Sequence, residues 1–183
     1  MPNAYTGRYV VMGVTGAGKS LIGAALAQAL GVSFVDGDDL HSETNRQHMA
    51  AGIALTDADR AVWLQLIADR LRQASHAGLG LVVACSALKA SYRDILRQSA
   101  PAVQFIYLKG TPDVIAPRMA QRTGHFMPTT LLPSQFATLE EPTSNESAWV
   151  IDIRGAPEAL VAALVQRIDD QARLTNPRPS EHS

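Results

Sequence analysis

The sequence predicts an α/β protein whose parallel sheet is covered by helices on both faces. Five short apolar runs alternate with longer segments of helical periodicity, and several runs are apolar almost throughout. Strands that are buried on both faces have this composition. A glycine-rich loop between the first run and the first helical segment also favours this class. The five runs cover residues 9–12, 32–35, 79–85, 103–108 and 149–153.

The helical segments have recognisable ends. Residues 20–30 form an apolar helical pattern that Gly31 is expected to end. Thr56 and Asp59 have the spacing of a capping box, which predicts that a helix begins directly after Thr56. The last helix is predicted at about residues 157–174.

The length of the chain indicates one folded unit. With 183 residues, of which 46% are hydrophobic, it is long enough to bury one sizeable core. We therefore expect a single domain over residues 1–174. Residues 175–183 are polar and contain prolines, which predicts a disordered tail.

Charge and cysteine content exclude several classes of function. The formal net charge is -1, with 16 basic and 17 acidic residues, so no general field attracts nucleic acid or anionic lipid. Cys85 is the only cysteine, which excludes an internal disulfide. We find no signal-peptide pattern in MPNAYTGRYVV and no run of membrane-spanning length. We expect a cytoplasmic protein that binds neither nucleic acid nor membrane.

The glycine-rich loop has the pattern G-x-x-x-x-G-K-[ST]. Its glycines let successive backbone N–H groups point into one concavity, and a helix N-terminus adds positive dipole, so a di- or triphosphate fits there. Lys19 is expected to neutralise the β- and γ-phosphates, and the Ser20 hydroxyl to coordinate Mg²⁺. The loop residues are Gly13, Val14, Thr15, Gly16, Ala17, Gly18, Lys19 and Ser20.

The same loop serves kinases, switches and motors, so other residues must decide between them. The guanine-reading N-K-x-D sequence of GTPases is absent, and motor ATPases need a much longer chain. Ser86 follows the third run, where many P-loop proteins place a Mg²⁺-binding aspartate. Asp36, Asp38 and Asp39 follow the second run, where carboxylates face the ligand cleft of a parallel sheet. A small-molecule kinase is the leading class, and a nucleotide-dependent regulatory protein is the alternative.

Seven segments are distinctive, in chain order MGVTGAGKS, DGDDLH, NRQHMAAGIALTDADRAVWL, CSALKASYRDILR, FIYLKG, RTGHFMPTTLLPSQFATLEEP and VIDI. Together they resemble the motifs of gluconate kinases, with shikimate kinases as more distant relatives. The resemblance implies ATP-dependent phosphorylation of D-gluconate on its terminal hydroxyl, giving 6-phospho-D-gluconate. It also implies the P-loop fold of nucleoside monophosphate kinases, with a five-stranded parallel sheet in the order 2-3-1-4-5.

This sequence departs from the family pattern in the segment expected to cover the substrate. His48 stands where the family often has lysine, and Ile53-Ala54 replaces a common Glu-Pro. A kinase for another small hydroxy acid, such as shikimate, is therefore an alternative substrate assignment.

Gluconate carries hydroxyls and a carboxylate, so its site needs hydrogen-bond acceptors and a cation. Asp38 and His41 suit the hydroxyls, and the resemblance assigns the reacting hydroxyl to Asp38 as catalytic base. Arg60 or Arg93 suits the carboxylate, because a guanidinium can bind it bidentately. Further expected substrate contacts are Ser86, Lys89, His125 and Gln135.

The resemblance also implies a lid over about residues 118–135. Arg118 and Arg122 lie four residues apart and share a face if helical. Arg118 is expected near the adenine of ATP, and Arg122 near the transferring phosphate as a catalytic residue. A charged outer helix face is the alternative. Finally, the resemblance implies that Asp36 binds water around Mg²⁺ and that the enzyme is a homodimer.

Overall fold

The computed structural model describes residues 5–121 and 127–175. Five strands form one parallel sheet in the order β2-β3-β1-β4-β5, as predicted. The strands are β1 (Arg8–Met12), β2 (Ser33–Asp36), β3 (Leu81–Ala84), β4 (Gln104–Lys109) and β5 (Trp149–Asp152). The helices are α1 (Lys19–Leu30), α2 (Glu43–Ala50), α3 (Asp57–His76), α4 (Ala90–Ser99), α5 (Pro112–Ala120), α6 (Leu132–Thr138) and α7 (Pro157–Thr175). Short 3₁₀ turns cover Gly37–Leu40, Thr129–Leu131 and Ser144–Glu146.

The helix ends follow the expected local chemistry. Gly31 ends α1 in the left-handed conformation, with φ of 64°. The Thr56 side chain accepts from the Asp59 N–H while the Asp59 carboxylate accepts from the Thr56 N–H, which confirms the capping box of α3. The last helix reaches Thr175, and the rest of the predicted tail lies outside the described residues.

The third strand is shorter than its apolar run. The run begins at Leu79, whereas β3 begins at Leu81. The N–H of Leu79 donates to the carbonyl of Ala74, at 2.9 Å, so Leu79 belongs to the turn that closes α3. Its side chain is 57% exposed. The predicted start of this strand at Leu79 is therefore wrong, because Leu79 closes the preceding helix.

The sheet separates two apolar cores, because successive side chains of a strand point to opposite faces. Tyr9 and Val11 of β1 contribute to the core that includes α1 and α7. Val10 and Met12 contribute to the core that includes α3 and α4. This double coverage explains the nearly continuous apolar runs. It also leaves the carboxyl edge of the sheet as the place where loops from several strands meet.

Candidate active site

The glycine-rich loop connects β1 to α1 in a backbone shape that side chains would obstruct. Gly16 has φ of 78°, and a Cβ there would lie 2.4 Å from the Met119 Cγ. Gly18 is also left-handed, with φ of 97°, and it caps α1. The Lys19 ammonium donates to the Val14 carbonyl at 2.9 Å. The lysine side chain thus folds back onto the loop, whose glycines allow the shape in which a phosphate chain fits.

An apolar pocket lies beside this loop, next to Arg118. It is formed by the start of α1, by Ile153 after β5 and by the start of α7. The Arg118 guanidinium donates to the Ile153 carbonyl at 2.8 Å, which holds the arginine at the pocket rim. An apolar pocket next to a phosphate-binding loop suits a nucleotide base. Arg118 lines this pocket, and its contact with adenine stays a prediction.

A second cleft lies on the other side of the loop, at the carboxyl ends of β1, β2 and β3. It brings together most of the predicted catalytic and substrate residues, including Lys19, Ser86 and Gln135. Three hydrophobic residues of the small apolar cluster, Met49, Leu55 and Met127, form part of its wall. Its complete lining is Thr15, Lys19, Asp38, His41, Met49, Leu55, Arg60, Trp63, Ser86, Met127 and Gln135.

The two aspartates after β2 have different local surroundings. The Asp36 carboxylate accepts a hydrogen bond from the Asp38 N–H at 3.0 Å and so caps the 3₁₀ turn. Asp38 lines the cleft. Asp39 points to solvent and pairs with Arg46 at 3.4 Å, so it is not part of the cleft wall. Arg46 also donates to the Asp38 carbonyl at 3.3 Å and ties α2 to this turn.

His41 lies in the cleft as a buried imidazole. Its ring stacks on the indole of Trp63, with ring centroids 4.3 Å apart and planes 12° from parallel. Burial, together with the nearby positive charges of Arg60 and Arg46, lowers the His41 pKa to about 4. The imidazole is therefore neutral at pH 7. Its Nδ1 atom is buried and has no hydrogen-bond partner within the described part of the chain.

Arg60 lies in the cleft wall at the start of α3 and is only 8% exposed. Its Nη1 donates to the Leu55 carbonyl, and its guanidinium lies 5.8 Å from the ring centroid of Tyr92. None of the carboxylates in residues 5–121 and 127–175 forms an ion pair with it. The negative charges of Asp57 and Asp59 act on Arg60 without forming an ion pair with it. The buried guanidinium is therefore suited to bind an anionic ligand directly.

The structure does not place two predicted substrate residues, Arg93 and Lys89, in the cleft lining. Arg93 is completely buried, and its guanidinium binds the Glu146 carboxylate at 2.6 and 2.8 Å. It also donates to the carbonyls of Ala87 and Leu88. Arg93 thus supports the backbone at Ala87, which is left-handed with φ of 43°.

Lys89 also contacts a carboxylate of the protein. Its ammonium contacts both carboxylate oxygens of Asp57, at 2.9 Å each, and so links α4 to the start of α3. The sequence suggested the cleft for both residues because they follow β3. The carboxylates that they contact in the structure, Glu146 and Asp57, are distant in sequence, so the motifs alone did not predict these pairs.

Two further predicted residues, Arg122 and His125, lie outside the described residues. Cys85 is 2% exposed, and burial raises the pKa of its thiol to about 12, as expected for an inert core residue. Trp63, Met49 and Met127 are parts of the cleft that sequence reasoning missed as site residues. Trp63 does lie three positions after Arg60, which is the spacing of one helix face.

The fold, the phosphate loop and the adjoining polar cleft define a P-loop kinase for a small molecule. A family model described as Shikimate kinase matches residues 15–169. The thermoresistant gluconokinase of Escherichia coli (strain K12) is 44% identical over 161 residues, which cover 87% of this chain and 92% of that protein. A crystal structure of a gluconokinase from Sinorhizobium meliloti 1021 has a TM-score of 0.78 at 43% identity and covers 92% of this chain and 98% of that one. The chain belongs to the gluconokinase family, within the wider shikimate kinase family.

A more distant structure shows how far the fold extends. The shikimate kinase from Acinetobacter baumannii, in complex with shikimate, has a TM-score of 0.59 at 17% identity, and covers 92% of this chain and 96% of that chain. At that identity the likeness shows the fold alone.

Proposed function

We propose that this protein transfers the γ-phosphate of ATP to the terminal hydroxyl of D-gluconate, giving 6-phospho-D-gluconate. The observation that carries the proposal is the buried Arg60, which forms no ion pair with a carboxylate of the described residues and lines the cleft beside the phosphate loop. The relatives at 44% identity that are named gluconokinase support the same substrate.

Each end of the substrate has a counterpart in the cleft. Arg60 binds the gluconate carboxylate by charge-assisted hydrogen bonds. Asp38 accepts a hydrogen bond from the attacking hydroxyl, orients it toward the phosphate and takes its proton. His41, being neutral, offers its Nδ1 as an acceptor for another hydroxyl. Ser86, two residues after β3, and Gln135 of α6 supply further hydrogen bonds.

The nucleotide is held by the loop and by the pocket next to Arg118. Backbone N–H groups of the loop and the Lys19 ammonium stabilise the phosphate charge, which spreads over more oxygens as the transfer proceeds. Arg118 lies along the adenine. Arg122 is expected to act on the transferring phosphate.

Magnesium is expected to accompany ATP. Mg²⁺ usually keeps several waters and binds through one or two protein oxygens together with substrate phosphates. The site suits this mode, since Ser20 is the second residue of α1 and Asp36 lies at the end of β2. No cluster of three or more metal-ligating side chains occurs in the described ranges. Ser20 would bind the ion directly and Asp36 through water, and the ion would neutralise phosphate charge.

An assay of ADP release against a panel of sugar acids and polyols tests the proposal. We expect turnover that depends on gluconate, with much weaker activity on shikimate and on uncharged polyols. If shikimate or another hydroxy acid is preferred, the enzyme class holds and the substrate is wrong. Slow turnover that is the same with every compound would favour a nucleotide-dependent regulatory protein instead.

A homodimer in the cytoplasm completes the proposal. Among the described helices, none has the length and apolar character needed to cross a bilayer. Light scattering after size-exclusion chromatography measures the assembly, and a monomer at micromolar concentration would contradict the dimer.

A further inference from the structure

One face of α3 provides three residues around the substrate cleft. Arg60, Trp63 and Ile67 have the spacing i, i+3 and i+7, so their side chains lie along the same side of the helix. Arg60 lines the cleft, and Ile67 approaches Gly37, at the start of the aspartate turn. Trp63 lies between them and is 2% exposed. The helix therefore reaches both the carboxylate-binding and the hydroxyl-binding parts of the cleft.

The indole of Trp63 fixes the backbone of the aspartate turn. Its Nε1 donates to the carbonyl of Gly37 at 2.6 Å, in a hydrogen bond that is buried. Gly37 precedes Asp38 directly and is closely confined, because a Cβ there would lie 2.5 Å from the Ala84 carbonyl oxygen. Gly37 thus packs closely against β3, and its own carbonyl accepts the hydrogen bond from Trp63. The position of the Asp38 carboxylate depends on this anchoring.

The same indole also fixes the imidazole of His41. The two rings are nearly parallel, at 4.3 Å between centroids, which restricts the tilt of the imidazole and the direction of its buried Nδ1. The charged groups that act on His41 are Arg60 on α3 and Arg46 on α2, and both disfavour the imidazolium. The indole covers one ring face and keeps water from it. The Trp63 side chain thus contacts both the turn that carries Asp38 and the imidazole of His41.

We propose that Trp63 is a positioning residue, which sets the distance and orientation between the Asp38 carboxylate and the His41 imidazole. The proposal rests on the assignment of this cleft to a hydroxy-acid substrate. The indole N–H governs the Asp38 turn and hence turnover. The indole ring governs His41 and hence substrate binding. A residue that merely filled the core would not separate these two effects.

Two substitutions separate the functions. Trp63→Phe keeps a ring against His41 but loses the donor to Gly37, so kcat should fall by about tenfold to a hundredfold while the KM for gluconate stays within about threefold. Trp63→Leu loses the ring as well, so the KM should also rise. The KM for ATP should change little in either variant. Trp149→Phe, at the other tryptophan, is the matched control and should leave all three constants near those of the wild type.

A measurement without substrate tests the same proposal independently. The imidazole of His41 is followed by NMR as a function of pH, and His41→Asn identifies its signal among the five histidines. Its pKa should stay near 4 in Trp63→Phe and rise toward the ordinary value of 6.5 in Trp63→Leu. If Trp63→Leu does not fold, the kcat of Trp63→Phe still tests the proposal, since an unchanged kcat would contradict it.

The outcomes are distinct. Variants that only lower the melting temperature, with kcat, KM and the His41 pKa unchanged below it, would overturn the proposal. If the wild type phosphorylates no sugar acid, the proposed function fails. The NMR titration then decides whether Trp63 controls His41, and an unchanged pKa in Trp63→Leu would overturn that part as well.

Discussion

The side-chain amide oxygen of Gln135 accepts a hydrogen bond from the backbone N–H of Thr15 at 3.2 Å. This contact joins α6 to the phosphate loop across 120 residues of sequence. The Thr15 hydroxyl also lies 3.4 Å from the Met127 sulfur, so the segment before α6 contacts the loop as well. Gln135 is therefore held between the phosphate loop and the cleft.

Gln135→Ala should raise the KM for gluconate by roughly two- to tenfold, the loss expected for a neutral hydrogen bond. The melting temperature should change little, because water can reach the freed Thr15 N–H through the cleft. Steady-state kinetics with each substrate varied in turn measures the effect. Ser134→Ala, at the neighbouring residue of α6, is the control, and equal effects of the two variants would argue against a substrate contact.

Lys19→Ala should leave the fold intact and lower turnover by at least about a hundredfold, since the ammonium acts on phosphate charge that develops during transfer. Circular dichroism and an ADP-release assay measure the two properties. Lys109→Ala is the matched control, because that lysine forms a half-exposed surface pair with Glu141. Near-normal activity in a folded Lys19→Ala would refute the loop assignment.

Arg60→Ala should raise the KM for gluconate by about tenfold to a hundredfold, the value of a charge-assisted hydrogen bond, and hardly alter the KM for ATP. The preference for gluconate over an uncharged polyol should narrow in the same proportion. Arg72→Ala, on the same helix and 47% exposed at its side chain, is the control. Unchanged selectivity in Arg60→Ala would mean that another cation reads the carboxylate.

Asp38→Asn should lower kcat by at least about a hundredfold, in the range of general bases, with ATP affinity nearly unchanged. Asp36→Asn should instead move the Mg²⁺ dependence of the rate to higher concentration, because the carboxylate expected to bind the water around Mg²⁺ is lost. The turn should keep its shape, since the asparagine oxygen can still accept the hydrogen bond from the Asp38 N–H. Rates measured across a Mg²⁺ series distinguish the variants. Exchanged phenotypes would show that the two aspartates have the opposite roles.

Glu146→Gln should lower the free energy of unfolding by about 3 kcal/mol or more, because the completely buried Arg93 loses its anion. The Arg93 and Arg97 guanidinium groups hold the Glu146 pKa at about 2, below its ordinary value of 4.5. The stabilisation is therefore complete above pH 4.5 and is lost as the pH falls toward 2.

Urea unfolding at pH 7 and at pH 3 measures both parts of that expectation. The difference between wild type and Glu146→Gln should shrink at the lower pH. Asp94→Asn, which breaks an exposed pair with Arg97, should cost less than about 1 kcal/mol. If Glu146→Gln lowers the free energy of unfolding by no more than Asp94→Asn does, the structural role of the buried pair is contradicted.

Local sequence was sufficient for much of the fold. Five apolar runs gave five strands, and Gly31 and the Thr56 capping box mark helix ends as predicted. These features depend on residues a few positions apart. The strand order came from family resemblance rather than from composition, because pairing between strands joins distant segments.

The candidate site was only partly predictable. Asp38, His41, Arg60, Ser86 and Gln135 were named from motifs and all line the cleft. Arg93 and Lys89 had equally suitable chemistry, yet their charges are satisfied by Glu146 and Asp57. A motif shows that a cation is present, but only the packing of distant elements shows which anion it meets.

The sequence by itself determined the double-sided parallel sheet, the phosphate loop and the residue types of the substrate cleft, because periodicity, glycine spacing and capping are local properties. The tertiary structure decided which cation remains available to a ligand and which aromatic ring supports His41. The physical reason is that burial and charge compensation depend on neighbours in space. Glu146 is 53 residues from Arg93, and Trp63 meets the Gly37 carbonyl across 26 residues.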